Sequence, residues 1–280
     1  MSFAKLVWMT INNATIDHMA FCGDILMSGA AVDLPQPPKS SDVFKRAVKA
    51  TSKDVAEFGY WEANGTDKTF VYKALFDPDL KLPLLGLAFN KDTDVLTPTY
   101  HDPFIGTHAR IAEAIQQIET QIAAESNQLT AYALREYVRA TLEKTFHGIR
   151  MDDTVSGTLV FDEFADDLVK FAEVINGIDG CTITMLDLEL TGITRDGLRD
   201  PIIQALKVRL HGVEQMVDLM QEKSKVSKKL YENLLASLDA VIALAAEVDE
   251  VMEFGVFDAL QKDFAAVGDK LHKLLGVMKV

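Results

Sequence analysis

The sequence predicts an α+β fold in which a mixed α/β platform precedes a helical C-terminal segment. Three observations carry this prediction. Short apolar runs separated by turn-forming residues fill 57–100 and are typical of an antiparallel β meander. A strand, a helix and a second strand follow one another over 158–190. Apolar residues then step alternately by three and four from residue 203 to residue 248, which is the heptad pattern of packed helices.

The N-terminal part begins with a predicted strand over 6–11 and a predicted helix over 14–27, where apolar residues recur at helical spacing. The proline-rich stretch 34–39 ends this part, because proline lacks an amide hydrogen and favours extended structure in the residue before it. A serine then offers an N-cap for a short helix over 42–48.

Turn-forming residues divide the meander at Asn64-Gly65, at Asp77-Pro78-Asp79 and at Asn90-Lys91-Asp92. Isoleucines spaced by three and four then predict an amphipathic helix over 106–126. The same spacing predicts a second helix over 130–146.

The strand-helix-strand unit consists of strands over 158–161 and 182–190 with a helix over 162–176 between them. Asp162 is the predicted N-cap of this helix and Gly177 its predicted stop. The order of the elements is clear, and the pairing of the two strands is left open.

The heptad seam is interrupted once, where its register passes through Ser224 and Ser227. A hairpin that folds back there and one continuous helix both fit. The hairpin is favoured because it buries both halves of the seam within one chain. Gly255 then separates a last helix over 256–275.

We therefore predict two domains. The first is a mixed α/β platform over 1–192, with an alternative division near 101–127. The second is a helical, coiled-coil-like hairpin or bundle over 193–280.

Composition excludes several classes of protein. The 42 acidic and 28 basic side chains give a formal charge of -14, which disfavours nucleic-acid binding. Cys22 and Cys181 are far apart, so the sequence contains neither a disulfide framework nor a metal-spaced cysteine pair. We find no signal-peptide pattern and no run of ~20 apolar residues. These observations predict a cytoplasmic protein that binds no membrane.

No phosphate loop, nucleophile elbow or HExxH pair occurs, so the sequence assigns no catalytic residue and no cofactor, and it favours a non-enzyme. The sequence contains two groups of candidate metal ligands and predicts no metal site, because their spacing fits neither a shared helix face nor an EF-hand loop. The first group is His101, Asp102 and His108. The second is Asp152, Asp153, Asp162, Glu163, Asp166 and Asp167.

Two surfaces are candidates for binding. Basic residues beside the break in the seam, together with two seam positions, form a predicted partner-binding set, although a solvated helix turn is the plainer interpretation of the lysines. That set is Lys223, Lys225, Lys228, Lys229, Leu210 and Val217. Aromatic residues form a candidate ligand pocket, although cross-strand packing is their commoner role. They are Trp8, Tyr60, Trp61 and Tyr72.

Three stretches together resemble an uncharacterised family of proteins encoded by bacteriophages and other mobile elements, a domain of unknown function. The resemblance implies a phage or mobile-element origin and supplies no activity or catalytic residue. The stretches are 34–38 with 42–47 and 51–52, then 133–138 with 156–161, and finally 229–235.

We therefore expect a non-enzymatic interaction protein that contacts a protein partner, or a second copy of itself, through its C-terminal helices and acidic surface. The first alternative is a nucleotide-binding enzyme or ligand-sequestering protein with a site between the aromatic meander and the strand-helix-strand unit. The second alternative is an acidic mimic of DNA that blocks a DNA-binding protein.

Overall fold

The fold is α+β, as predicted. The computed structural model describes 2–54, 64–65, 69–77, 82–90, 95–100, 109–151, 157–189, 191–221 and 227–275. The strands are β1 (Ser2–Ile11), β2 (Thr15–Asp17), β3 (Asn64–Gly65), β4 (Thr69–Asp77), β5 (Leu82–Asn90), β6 (Val95–Tyr100), β7 (Gln128–Thr130), β8 (Ile149–Met151), β9 (Gly157–Phe161) and β10 (Cys181–Glu189). The helices are α1 (His18–Ser28), α2 (Ser40–Asp54), α3 (Ala109–Glu125), α4 (Ala131–Ala140), α5 (Ala165–Asn176), α6 (Gly192–Gln221), α7 (Lys228–Met252) and α8 (Val256–Leu275).

The chain divides into two compact units. The first unit comprises Met1–Ala14, Ile25–Asp33 and Leu134–Val280, and the second comprises Thr15–Asp24 and Leu34–Ala133. The predicted boundary at residue 192 does not coincide with this division. The physical reason is that α6, α7 and α8 share one apolar core with β1, β8 and β9 of the first unit.

The first unit contains a four-stranded antiparallel sheet in the order β10-β1-β9-β8. Because β1 lies between β9 and β10 and is antiparallel to both, these two strands are parallel to each other without being neighbours. The strand-helix-strand unit is therefore a split β-α-β unit. Ala4 and Leu6 of the central strand are buried.

The helix of the split unit begins later than predicted. Asp162 does not cap it, since Asp162–Phe164 form a 3-10 turn and α5 starts at Ala165 without a side-chain cap. The helix does end before Gly177, as predicted. Asn176, its last residue, accepts a hydrogen bond from Ile183 N at 2.6 Å and donates one to Ile183 O at 3.2 Å, which covers part of the outer edge of β10.

The second unit contains the predicted antiparallel meander, in the order β3-β4-β5-β6. Helices α2 and α3 supply apolar residues to one core with β5, in which the rings of Phe44 and Phe89 stack with centroids 4.9 Å apart. The predicted turn Asn64-Gly65 is instead strand β3, paired with β4. Residues 78–79 and 91–92 of the other two predicted turns lie outside the described residues.

The helix predicted over 14–27 starts at His18, because Thr15–Asp17 form strand β2, which pairs with β7. Asp17 caps the shortened helix, accepting a hydrogen bond from Ala20 N at 2.8 Å.

The C-terminal helices form the predicted hairpin, extended by α8 into a bundle. Arg199, near the start of α6, donates to Phe254 O just before α8, and Gln221, at the end of α6, donates to Lys270 O. Helices α6 and α8 therefore run in the same direction, and α7 runs opposite to both. The heptad positions are buried as predicted, except Ile203 and Tyr231, which are half-buried.

Local hydrogen bonds set the ends of these helices. Ser227 caps α7 by accepting from Leu230 N, so the polar break in the seam is in part a helix start. Gly255 has φ +65, and Asp249 accepts from Val256 N at 2.7 Å, which starts α8 where predicted. Within the described part of the chain, no helix is long and apolar enough to cross a membrane.

Candidate functional site

The first unit has a groove between α6 and α7, with a volume of about 740 Å³. We call it the α6–α7 groove. Its floor is apolar and one end is charged. The apolar lining includes Val213, Met216, Leu234, Val241 and Leu244. The charged end consists of Glu143, Lys144, His147, Arg209 and Glu247.

Small residues keep the groove open. Gly212 on α6 and Ala240 and Ala243 on α7 line it and bring little side-chain volume. A Cβ added at Gly212 would meet no described atom within 4 Å, so this part of α6 faces open space. The heptad seam on the inner faces of the same helices is filled by larger side chains such as Leu210 and Leu238, which closes the core and leaves the outer face accessible.

An apolar stripe runs along α6 through the groove lining. Val208, Gly212, Met216 and Leu219 are three or four residues apart and therefore lie on one helix face. Val208 is 51% exposed, Met216 42% and Leu219 53%. Scattered apolar residues are normal on a protein surface, whereas an aligned stripe beside an apolar groove is typical of an interaction site.

A strained turn presents His147 at the charged end. Residues 141–145 form a π-helical turn after α4, which is completed by a hydrogen bond from Phe146 N to Thr141 O at 3.1 Å. His147 then has φ +47, a conformation that few residues with a side chain adopt. The next residue must be glycine, because a Cβ at Gly148 would lie 2.5 Å from Leu142 O. Such π-helical turns and backbone outliers are frequent at functional sites.

Glu247 is a charged residue of the groove with one buried oxygen that no described donor binds. Its Oε2 lies 3.1 Å from Nδ1 of His147, and its side chain is only 22% exposed. Its Oε1 is buried and no described donor binds it, and the Glu163 carboxyl lies close enough to form a hydrogen bond with Glu247 when one of the two carboxyls carries a proton. Burial raises the pKa of the Glu247 carboxyl, the neighbouring carboxyl of Glu163 raises it further, and His147 acts in the opposite direction.

The remaining charged groups flank this pair. Arg209 donates from Nη2 to the Gly148 carbonyl at 2.6 Å, so it supports the turn that carries His147. Glu143 and Lys144 come from the π-helical turn itself. The arrangement can hold a proton between the carboxyls of Glu163 and Glu247, and His147 lies on the other oxygen of Glu247. Among the residues that the structure describes, no three His, Cys, Asp or Glu side chains are placed to hold a metal ion.

The predicted partner-binding residues have different positions. Lys228 and Lys229 are exposed in the first turn of α7, and Lys228 lies 3.6 Å from Glu232. Lys223 and Lys225 lie outside the described residues. The two seam residues of that set, Leu210 and Val217, are buried in the core of their own bundle, because the hairpin turns the seam inward.

The predicted aromatic pocket is described only in part. Trp8 is a half-buried residue of β1 in the first unit, packed against the apolar core. Tyr72 belongs to β4 in the second unit. Tyr60 and Trp61 lie outside the described residues.

The predicted metal-ligand groups are also described only in part, since His101, Asp102, His108, Asp152 and Asp153 lie outside the described residues. In the acidic cluster, Asp162 lies 4.0 Å from Lys5, and Asp167 lies 3.2 Å from Lys170. Surface ion pairs therefore account for these two carboxylates, and Glu163 is the member of the cluster that adjoins the groove through Glu247.

Sequence reasoning did not single out His147 or Glu247. The dipeptide His147-Gly148 follows the helix predicted over 130–146, and its glycine indicates a turn, so the sequence does contain a signal for this turn. Glu247 offers no such signal, because a glutamate on the polar side of a heptad helix is ordinary.

The comparisons with known proteins give no match for this chain. No protein-family model matches the chain, and comparison with curated proteins and with solved structures finds no match.

Proposed function

We propose that this protein is a non-enzymatic interaction protein that binds an amphipathic helix of a protein partner in the α6–α7 groove. The observation that carries this proposal is the apolar, open floor of the groove beside the exposed stripe of Val208, Met216 and Leu219. Helix-in-groove recognition uses such a surface, in which apolar anchors of the bound helix at every third and fourth position fill the groove.

The geometry suits a helix better than a compact small molecule. Small-molecule sites enclose most of their ligand, whereas this groove is an open channel between two antiparallel helices. Gly212 and Ala240 allow close approach of a third helix backbone, because neither side chain extends far beyond its own helix. The formal charge of -14 favours a basic partner through long-range attraction.

The test is to fill the groove by a single substitution. Ala240→Trp places a large side chain on the floor, and Ala246→Trp places the same side chain on an exposed position of α7 outside the groove lining. A displayed library of 18-residue helical peptides with apolar anchors would be selected on the wild-type protein. The dissociation constants of the recovered peptides would then be measured by fluorescence anisotropy for all three proteins.

We expect Ala240→Trp to weaken binding at least tenfold, because truncating or blocking a central anchor typically costs more than 1.4 kcal/mol. Ala246→Trp should bind like the wild type. Recovered peptides that bind all three proteins equally would contradict the proposal, and so would a library that yields no binder.

A second copy of the chain is the alternative occupant, favoured by the exposed apolar stripe on α6. Light scattering measures this directly. A dimeric mass for the wild type that becomes monomeric in Met216→Glu would show that a second copy, and not a partner helix, occupies the groove. A monomeric mass for the wild type would leave the groove to a partner helix.

The phage or mobile-element origin, a cytoplasmic location, and the alternatives of nucleotide binding and DNA mimicry are proposals that rest on the sequence. The genomic neighbourhood of the gene tests the first. Thermal unfolding in the presence of nucleotides tests the third, because a ligand at 100 times its dissociation constant adds about 2.7 kcal/mol to the free energy of unfolding.

A further inference from the structure

We infer that the second unit binds an uncharged, apolar small molecule in a pocket between α2, α3 and the strands β5 and β6. The pocket has a volume of about 440 Å³, and we call it the α2–α3 pocket. All of its lining residues belong to the second unit, whereas those of the α6–α7 groove belong to the first. The pocket is therefore a separate candidate site that does not depend on the proposed function.

The base of the pocket is the packed core of the second unit. Phe89 of β5 and Val43 of α2 lie at this base and are buried. The ring of Phe89 is held against the ring of Phe44 by the stack described above. The base is therefore rigid, because side chains in a close-packed core have little room to move.

The accessible surface of the pocket is mainly apolar. Leu96 of β6 and Ile122 of α3 line the pocket, are half-buried and pack against the core. Val95, the first residue of β6, is 53% exposed, and Ala123 of α3 is also exposed. An apolar molecule in the pocket would cover these four side chains and remove their surface from water, which favours binding.

The polar groups of the pocket are few. Ser40, Glu119 and Ser126 are the polar residues of its lining. Glu119 is exposed on α3, so water reaches its charge. Arg46 and Glu125, which join α2 to α3, pair with each other at 3.0 Å and are not part of the lining. The described lining therefore contains no cationic group that would hold an anion, and a neutral ligand fits it best.

The volume of the pocket sets the size of the ligand. A cavity of about 150 Å³ is large enough for benzene, and the α2–α3 pocket is about three times as large. It lies within the range of roughly 300–1,000 Å³ that small-molecule sites occupy. A polycyclic aromatic molecule, or an aliphatic group of similar bulk, therefore fits the space.

The test is a titration with N-phenyl-1-naphthylamine, a neutral polycyclic probe whose fluorescence rises in apolar surroundings. Two variants change exposed positions of the lining: Ala123→Trp fills the pocket, and Val95→Asp places a charge in it. The matched controls are Ala112→Trp, at an exposed position of α3 outside the lining, and Thr99→Asp, at an exposed position of β6 outside the lining. Circular dichroism checks that every variant is folded.

We expect the wild type to bind the probe saturably, with one probe per chain. Ala123→Trp and Val95→Asp should each weaken binding at least tenfold, because the first removes space and the second makes it costly to bury an apolar ring beside a charge. Both controls should bind the probe like the wild type. The inference would be overturned by a wild type that does not bind the probe, or by binding that neither Ala123→Trp nor Val95→Asp weakens.

Ala240→Trp separates the two proposals. It changes the lining of the α6–α7 groove and not that of the α2–α3 pocket, so it should leave binding of the probe unchanged. A probe that Ala240→Trp releases would lie in the groove, and the inference would be wrong. Helical peptides that bind Ala240→Trp and the wild type equally would contradict the proposed function, and the result for the probe would stand.

Discussion

Two acidic residues of the helical bundle, Glu214 and Glu247, lie beside basic side chains, and their pKa values shift in opposite directions. Glu214 on α6 lies 2.8 Å from Lys270 on α8, near the surface, and this hydrogen bond lowers the pKa of the Glu214 carboxyl. Glu247 lies beside His147 in the groove, and burial raises the pKa of its carboxyl. The difference separates an ion pair that joins two helices from a partly buried carboxyl that lies beside a second carboxyl.

The same contrast holds for the surroundings of the two residues. Lys270 also pairs with Asp218 at 2.9 Å, so both carboxylates on α6 share one cation and water reaches all three groups. At Glu247 a side-chain hydrogen bond with the carboxyl of Glu163 raises the pKa, and the hydrogen bond with His147 lowers it. The first arrangement is a surface network that salt weakens, and the second is a partly buried pair of carboxyl groups that salt screens less.

The largest expected effect comes from the turn that holds His147 beside Glu247. Gly148→Ala should lower the free energy of unfolding by about 3 kcal/mol, because the added Cβ would overlap Leu142 O and the neighbouring backbone has to move. Urea denaturation measures this change. Gly212→Ala is the matched control, since it faces open space inside a helix and should raise stability by up to about 1 kcal/mol. Equal effects of the two substitutions would show that the turn is not rigid.

An intermediate effect is expected from neutralising the buried carboxyl. Glu247→Gln should raise the free energy of unfolding at pH 7 by about 1 kcal/mol, because a charged group with an unpaired oxygen is replaced by a neutral one. A raised pKa in the folded state means that folding takes up a proton. The stabilising contribution of Glu247 to the free energy of unfolding is therefore fully present below its ordinary pKa of 4.5. It is lost as the pH rises through its higher folded-state pKa.

Thermal unfolding of both proteins between pH 4 and pH 8 measures this dependence. The advantage of Glu247→Gln over the wild type should grow as the pH rises. Parallel stability curves for the two proteins would contradict the raised pKa and weaken the distinction between Glu247 and Glu214.

The smallest effect is expected at the surface pair, with the opposite sign. Glu214→Gln should lower the melting temperature by about 2 °C or less at pH 7 and low salt, since exposed ion pairs contribute little. Because the pKa of Glu214 is lowered in the folded state, its contribution to the free energy of unfolding is present above its ordinary pKa and is lost as the pH falls through its folded-state pKa. The difference from the wild type should disappear in 1 M salt, and a difference that persists there would show that the pair is not a screened surface contact.

Several elements follow from local pattern alone. The heptad steps predict which faces of α6 and α7 are buried, Gly255 predicts the start of α8, and the alternation of apolar runs with turn residues predicts the meander. Each of these signals lies within a few residues of the structure that it specifies. The start of α5 was predicted wrongly, because an aspartate such as Asp162 fits the start of a 3-10 turn as well as an N-cap.

The candidate site was not predictable in the same way. Glu247 is distinguished by His147, one hundred residues earlier in the chain, and by Glu163, and no local spacing relates these three positions. Likewise, the seam residues Leu210 and Val217 fit a surface seam or an internal core equally well until the hairpin is known.

The sequence by itself therefore determined the α+β class, the order of the elements and the heptad faces, because propensity, periodicity and turn chemistry act over short distances. Tertiary structure alone decided that β1 enters between β9 and β10, that the helices share a core with this sheet, and that a groove on α6 and α7 ends at a carboxyl with an unpaired oxygen. These features depend on which distant surfaces meet, and burial and charge pairing are properties of those contacts.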